Sequence, residues 1–109
     1  MRDFRKYDVW KLSHEITKAF PSSEKYQLSS QMQRAAYSIP SNFSEGCGRS
    51  SDKEFNRFLQ ICLGSAHELE YFILLSNDLE LIDANDFESL TLKINEIKKK
   101  LFNLSKKLL

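Results

Sequence analysis

A chain of 109 residues, 41% hydrophobic and 28% charged with only three glycines and two prolines, has the size and composition of one folded, helix-rich domain, which excludes a largely disordered protein. Its net charge of +1 argues against a uniformly basic nucleic-acid binder. The longest apolar run, Tyr71 to Leu75, is far short of a membrane span, and residues 1–20 carry no signal-peptide hydrophobic region, so a cytoplasmic protein without a membrane partner is expected.

In chain order, Val9, Leu12, Ile16 and Ala19 with Phe20 follow the spacing of one helix face and predict a first helix from about Asp8 to Phe20, stopped by Pro21. Residues 21–28 read as a connector. Leu28, Met32, Ala35, Ile39 and Phe43 then form the buried stripe of a second helix capped by Ser29. Pro40 lies in its middle, removes one backbone hydrogen bond and presses on the carbonyl four residues back, which predicts a kink near Ala36. The alternative is a break at Ile39. The kink is preferred because Ile39 is a poor N-cap, whereas Ser38, Ser41 and Ser44 offer hydroxyls to the disturbed backbone. Gly46 and Gly48 are expected to end the helix by supplying a left-handed cap.

Ser51 followed by Glu54 is a capping-box pattern, and Phe55, Leu59, Cys62, Ala66, Leu69 and Ile73 behind it predict a third helix running to about Ile82, roughly 45 Å long. Asp83 is placed to cap a fourth, where Phe87, Leu90, Ile94, Ile97, Leu101, Leu104 and Leu108 alternate as in a heptad seam. No segment reads as a strand. Four amphipathic helices with short connectors predict a single all-α domain over residues 1–109, an up-down-up-down antiparallel four-helix bundle with a kinked second helix.

The sequence over-fills that bundle. Phe58, Ile61, Phe72, Leu75 and Leu79 lie beside the main stripe of the third helix, and Leu92 and Phe102 outside that of the fourth, which predicts a second apolar face packed on another subunit. The alternative is that these residues widen the intrachain core.

Charge is unevenly distributed. From Ser65 to Leu90 the chain holds seven acids and no Lys or Arg; from Thr91 to Leu109 it holds six lysines and one glutamate. In the antiparallel bundle one pole collects Arg2, Arg5, Lys6, Arg49, Lys53, Arg57, Lys106 and Lys107 against Asp3, Asp8, Glu45, Asp52 and Glu54, while the other holds Asp78, Glu80, Asp83, Asp86 and Glu88. Several copies with parallel axes would add weak basic poles into one face able to meet phosphates. Against this, Lys100 lies level with Glu68 and Glu70 and is expected to pair with them, and basic C-terminal turns complement the helix dipole without any partner.

No catalytic nucleophile, metal cluster or cofactor loop stands out. His14 and His67 lie on different helices without ligands at metal spacing, and the Gly46 and Gly48 turn lacks the third glycine of a dinucleotide loop and the lysine-serine of a phosphate loop. His67 with Glu68 reads as a surface or interface pair. Glu45 is placed to anchor Arg49 or a neighbour's backbone. Cys62 reads as a small core residue, and Cys47 as a reactive thiol only if exposed.

Phe20-Pro21, Glu24-Lys25-Tyr26-x-Leu28, Gln31-x-Gln33-Arg34-Ala35-Ala36-x-Ser38-Ile39-Pro40-x-Asn42, Glu45-Gly46-x-Gly48-Arg49, and Phe58-Leu59 with Gly64-Ser65-x-x-Glu68-Leu69-Glu70 together resemble the bacterial four-helix-bundle family named for proteins encoded in intervening sequences of 23S ribosomal RNA genes. Phe43 and Ser44 stand where that family commonly has a small aliphatic pair. The resemblance implies a ring-shaped homopentamer, and the family is similar to the accessory protein of diversity-generating retroelements, a basic pentamer that binds nucleic acid and a reverse transcriptase. Gly64-Ser65-Ala66 would let another helix approach closely, in the ring or within the chain. The combined expectation is a non-enzymatic oligomer that meets RNA or a ribonucleoprotein through the basic pole, with Ser38, Pro40, Asn42, Glu45, Gly46 and Gly48 as structural motif and Phe58, Ile61, Gly64, Ser65, Phe72 and Leu75 at the oligomer interface. The alternative is an oligomeric adaptor for a partner protein, bound through the acidic pole or an apolar stripe.

Overall fold

The computed structural model describes residues 2–20 and 28–108, and its elements are four α-helices: α1 (Asp8–Lys18), α2 (Ser29–Cys47), α3 (Asp52–Asp78) and α4 (Ala84–Lys107). One turn of 3-10 helix, Phe4–Lys6, precedes α1. Among the described residues there is no strand. Each helix packs on its neighbours in sequence and α1 closes on α4, with no close backbone approach across either diagonal, as an up-down-up-down ring of four helices requires.

Helix α1 buries Val9, Ser13 and Ile16, and Phe20 follows them into the core. It stops at Lys18, two residues earlier than the periodicity suggests, and this leaves Ala19 exposed. Pro21 lies outside the described residues. Helix α2 starts at Ser29 with Leu28 in the capping position, so Ser29 is its first helical residue rather than its cap.

No break occurs at Ile39. Helix α2 runs through Pro40 to Cys47, and nearby side chains bond its carbonyls: Asn42 Nδ2 donates to the Ser38 carbonyl at 2.8 Å and the Ser44 hydroxyl to the Pro40 carbonyl at 2.8 Å. Ser41 is exposed, and Ser38 instead meets the Ser65 hydroxyl of α3 at 2.6 Å.

The expected left-handed glycine cap is absent. No described glycine has a positive φ, and Gly48 sits at φ −81°. Gly46 lies inside α2, where a Cβ would stand 2.7 Å from Phe58 Cβ and 3.2 Å from Phe55 Cδ1. It is glycine because α3 passes too close for any side chain. The left-handed residue is Glu80, at φ 58°, just past α3. There the Leu81 N–H reaches the Ser76 carbonyl at 2.8 Å and the Glu80 N–H the Asn77 carbonyl at 3.0 Å, a Schellman closure that ends α3 at Asp78, four residues before Ile82.

Unlike Ser29, the other two side-chain caps expected from the sequence form. Ser51 Oγ accepts the Glu54 N–H at 3.1 Å, and Asp83 Oδ1 accepts the Asp86 N–H at 2.7 Å. Between them Phe55, Leu59, Cys62, Ala66, Leu69 and Ile73 of α3 face Leu90, Ile94, Ile97 and Leu101 of α4, all buried. At one end of the core Phe43 packs edge-on against Tyr7 and Phe55, with ring centroids 5.2 and 5.8 Å away.

The extra apolar residues divide. Phe58 is only 5% exposed and is spent inside the subunit; Phe72 and Leu75 are half-buried. Ile61, Leu79, Leu92 and Phe102 are exposed, together with Tyr37, Tyr71 and Leu74. By length and composition α3 would suffice to cross a membrane, and in the bundle its main stripe is instead the core between α2 and α4.

Candidate functional site

Contacts between the element ends gather the basic residues at one pole. The Arg2 N–H donates to the Cys47 carbonyl at 3.0 Å, tying the N-terminal segment to the end of α2, and the Arg2 guanidinium pairs with Asp52 in the first turn of α3 while lying 4.2 Å over the Phe55 ring. Tyr7, Asp8 and Val9 share a groove with Lys100, Asn103, Leu104 and Lys107, which brings the start of α1 to the end of α4.

Phe58 is the plate on which this pole is built. Arg49, just past α2, and Arg57 of α3 lay their guanidinium groups over the same ring, at 4.9 and 4.8 Å. Each is also held by a carboxylate, Arg49 by Glu45 at 3.0 Å and Arg57 by Glu54 at 3.1 Å. Glu45 is thus the anchor of Arg49. Arg5 lies over Phe4 at 4.6 Å and 3.6 Å from Asp3. Lys106 covers Phe102 at 5.6 Å. Lys6, Lys53 and Lys107 are exposed and make no ion pair with a described residue. The arginines are therefore fixed in place with part of their charge answered, and Lys6, Lys53 and Lys107 project from the surface.

Along the bundle Lys98, not Lys100, reaches α3, with its Nζ 2.7 Å from Glu70 Oε1. The seam rotates Lys98 toward α3 and leaves Lys100 on the α1 side. His67 stands 3.7 Å from the same Glu70 oxygen and is exposed. Of the residues expected at an oligomer interface, Ile61 and Gly64 are exposed, with open space around Gly64, while Ser65 is turned to Ser38 within the subunit.

Two features escaped the sequence reading. A series of rings runs from Phe4 to Trp10 to His14, with centroids 5.0 and 4.9 Å apart and the last pair parallel to within 8°. Its signal was available in the i, i+4 spacing of Trp10 and His14. A groove between α3 and α4 is lined by Tyr71, Leu74, Phe87 and Thr91, with His67 and Glu70 at its rim.

The thiols are closed off. Cys47 is 1% exposed and its pKa is raised to about 11 by burial, only partly opposed by Arg2; burial raises Cys62 to about 12. Both remain neutral in the fold while the unfolded chain ionises near 9.0. The stability this confers is full below pH 9 and declines as pH rises toward 11–12. Alkylation of native protein at pH 8 is expected to be slow and to follow unfolding, and fast labelling of either cysteine would contradict this packing.

Among the described residues no group of three or more His, Cys, Asp or Glu is placed to hold a metal ion. What the fold defines is a four-helix bundle marked by a braced basic pole and apolar flanks. The chain belongs to the 23S rRNA-intervening sequence protein family, whose pattern it matches over residues 5–103. It is similar to the crystal structure of a protein of unknown function of the S23 ribosomal protein family from Bacteroides thetaiotaomicron, at 29% identity and a TM-score of 0.79 over 90% of this chain and 98% of that one. No curated protein matches the chain.

Proposed function

We propose that this protein is a non-enzymatic, cytoplasmic homo-oligomer that binds or scaffolds RNA, ribosomal RNA or a ribonucleoprotein, through the basic poles of a pentameric ring. The observation that carries this reading is the convergence of eight bases from four element ends on one pole, against five acids. The family name and that of the S23 relative point to the same class of partner. Arg49 and Arg57, clamped on Phe58, present guanidinium groups at little entropic cost, while Lys6, Lys53 and Lys107 add mobile charge. Such contacts hold phosphates without reading bases. Self-association uses the exposed side of α3, where Ile61 and Leu79 flank half-buried Phe72 and Leu75. A kink in α2 near Ala36, where Pro40 cannot donate a hydrogen bond, completes this reading.

Changing Arg49, Lys53 and Arg57 together to glutamine keeps methylenes over Phe58 and removes three cations. RNA binding is expected to weaken, and its log–log salt slope to fall by roughly two units. Unchanged affinity in a filter-binding titration would overturn the basic-pole mechanism. Light scattering tests the ring separately, since a monomer at every concentration excludes it.

The groove of Tyr71, Leu74 and Phe87 favours a second reading, an oligomeric adaptor that binds a partner protein along α3 and α4 or at the acidic pole. An apolar interface of that kind keeps its affinity as salt rises, whereas the RNA complex dissociates.

A further inference from the structure

We infer that the Phe4, Trp10 and His14 ladder is a stacking site for an unpaired nucleobase, which makes the RNA segment this protein recognises single-stranded. The inference rests on the RNA reading above and adds what phosphate contacts alone do not specify. His14 is exposed and covers one face of its ring with Trp10, parallel at 4.9 Å; its other face has no aromatic neighbour among the described residues. Beneath it the ladder is fixed. Trp10 Nε1 donates to Ser44 Oγ at 3.0 Å, Ser44 donates to the Pro40 carbonyl at 2.8 Å, and Phe4 closes the far side with Arg5 over its ring. Phe4 is tilted 58° against Trp10, so the stack proper is Trp10 with His14, and because its lower ring is already held in place it loses little freedom when one more ring is added.

Charge complementarity favours a nucleotide over an uncharged aromatic. Lys11 and Lys18 lie three residues before and four after His14, on the same outward strip of α1, both exposed, with Glu15 answering only Lys18 at 3.2 Å. A base on His14 would thus have cations on both sides for its flanking phosphates, the alternation of aromatic and basic groups found in single-strand binding sites. A base inside a duplex presents no free face, so paired RNA is excluded from the ladder.

Trp10 is the only tryptophan, and its fluorescence reports on the ladder. The experiment titrates the full chain at low salt with oligouridylate, with an abasic ribose-phosphate oligomer of equal length, and with a blunt RNA duplex. The expected result is quenching by oligouridylate alone, with affinity about tenfold above that of the abasic oligomer, the size of one stacking contact. His14→Ala should remove that difference and His14→Phe restore it. Equal binding of oligouridylate and abasic oligomer, unaffected by His14→Ala, overturns the ladder and leaves the phosphate-binding pole standing. Failure of all three to bind overturns the RNA reading and the ladder with it.

Discussion

Phe43→Ala is expected to destabilise the fold by about 3–5 kcal/mol, the range for truncating a fully buried phenylalanine. Phe43 is 1% exposed and is the middle ring between Tyr7, which leads into α1, and Phe55, in the first turns of α3. Its removal empties the point where three segments meet and cancels two edge-to-face contacts worth about 0.5–1.5 kcal/mol each, largely within that range. Small domains have only about 5–15 kcal/mol of stability, so the variant should unfold at much lower urea concentration. Phe43→Leu, which keeps most of the volume, should lose far less. A midpoint for Phe43→Ala close to that of the parent would mean that this end of the core collapses around the gap.

The second large effect concerns two glycines with opposite signs. Gly46→Ala places a methyl 2.7 Å from Phe58 Cβ, an atom fixed to the backbone of α3, so the helices must separate or Phe58 must move. Overpacking of this kind costs about 1–3 kcal/mol, more than the roughly 1 kcal/mol that alanine gains over glycine in a helix. Displacement of Phe58 would also disturb the seat of Arg49 and Arg57. On the basic-pole reading proposed above, RNA binding should fall with stability, although no charge has changed. Gly64 lies in the same family of small residues but is exposed, with nothing within 4 Å of the position a Cβ would take. Gly64→Ala should therefore stabilise the isolated subunit by about 1 kcal/mol. Thermal melts of the two variants give the signs directly, and a stabilising Gly46→Ala would refute the close crossing of α2 and α3. Loss of the proposed self-association in Gly64→Ala, with the subunit still stabilised, would locate Gly64 at the contact between copies.

The parts of this structure that were legible in the sequence are those fixed by neighbours along the chain. The α4 seam and the caps at Ser51 and Asp83 depend on residues a few positions apart, and all formed where the pattern placed them. Gly46 was misread because its reason lies across the bundle, in Phe58. The same is true of Phe58 itself: beside the α3 stripe it reads as surplus, and only the close approach of α2 with two covering arginines makes it interior. Glu80 gave no warning of its left-handed backbone, since nothing in its chemistry favours that conformation over glycine. The pairing of Glu70 with Lys98 instead of Lys100 required the rotation of α4 about its axis, which an idealised heptad wheel does not supply. The Glu45 anchor of Arg49 was legible from its i, i+4 spacing, whereas the pairings of Arg2 with Asp52 and of Arg49 and Arg57 with the Phe58 ring depend on how the helix ends meet.

Several small polar contacts bridge the helices: Ser38 to Ser65, Cys62 to the Ile39 carbonyl and Ser76 to Met32 between α2 and α3, and Gln60 with Asn56 to Ser105 between α3 and α4. Apolar stripes repeating every seven residues are nearly indifferent to a slide of one heptad, a translation of about 10 Å. These contacts are not. Each donor has its acceptor at one alignment only, and a slipped bundle would strand hydroxyls and amides against apolar neighbours at about 1–3 kcal/mol apiece. They act as the teeth of a key, contributing little to how strongly the helices adhere and much to which single alignment they accept. The positions of Arg49, Arg57 and the α4 lysines relative to one another, and hence the shape of the basic pole, are set by that alignment.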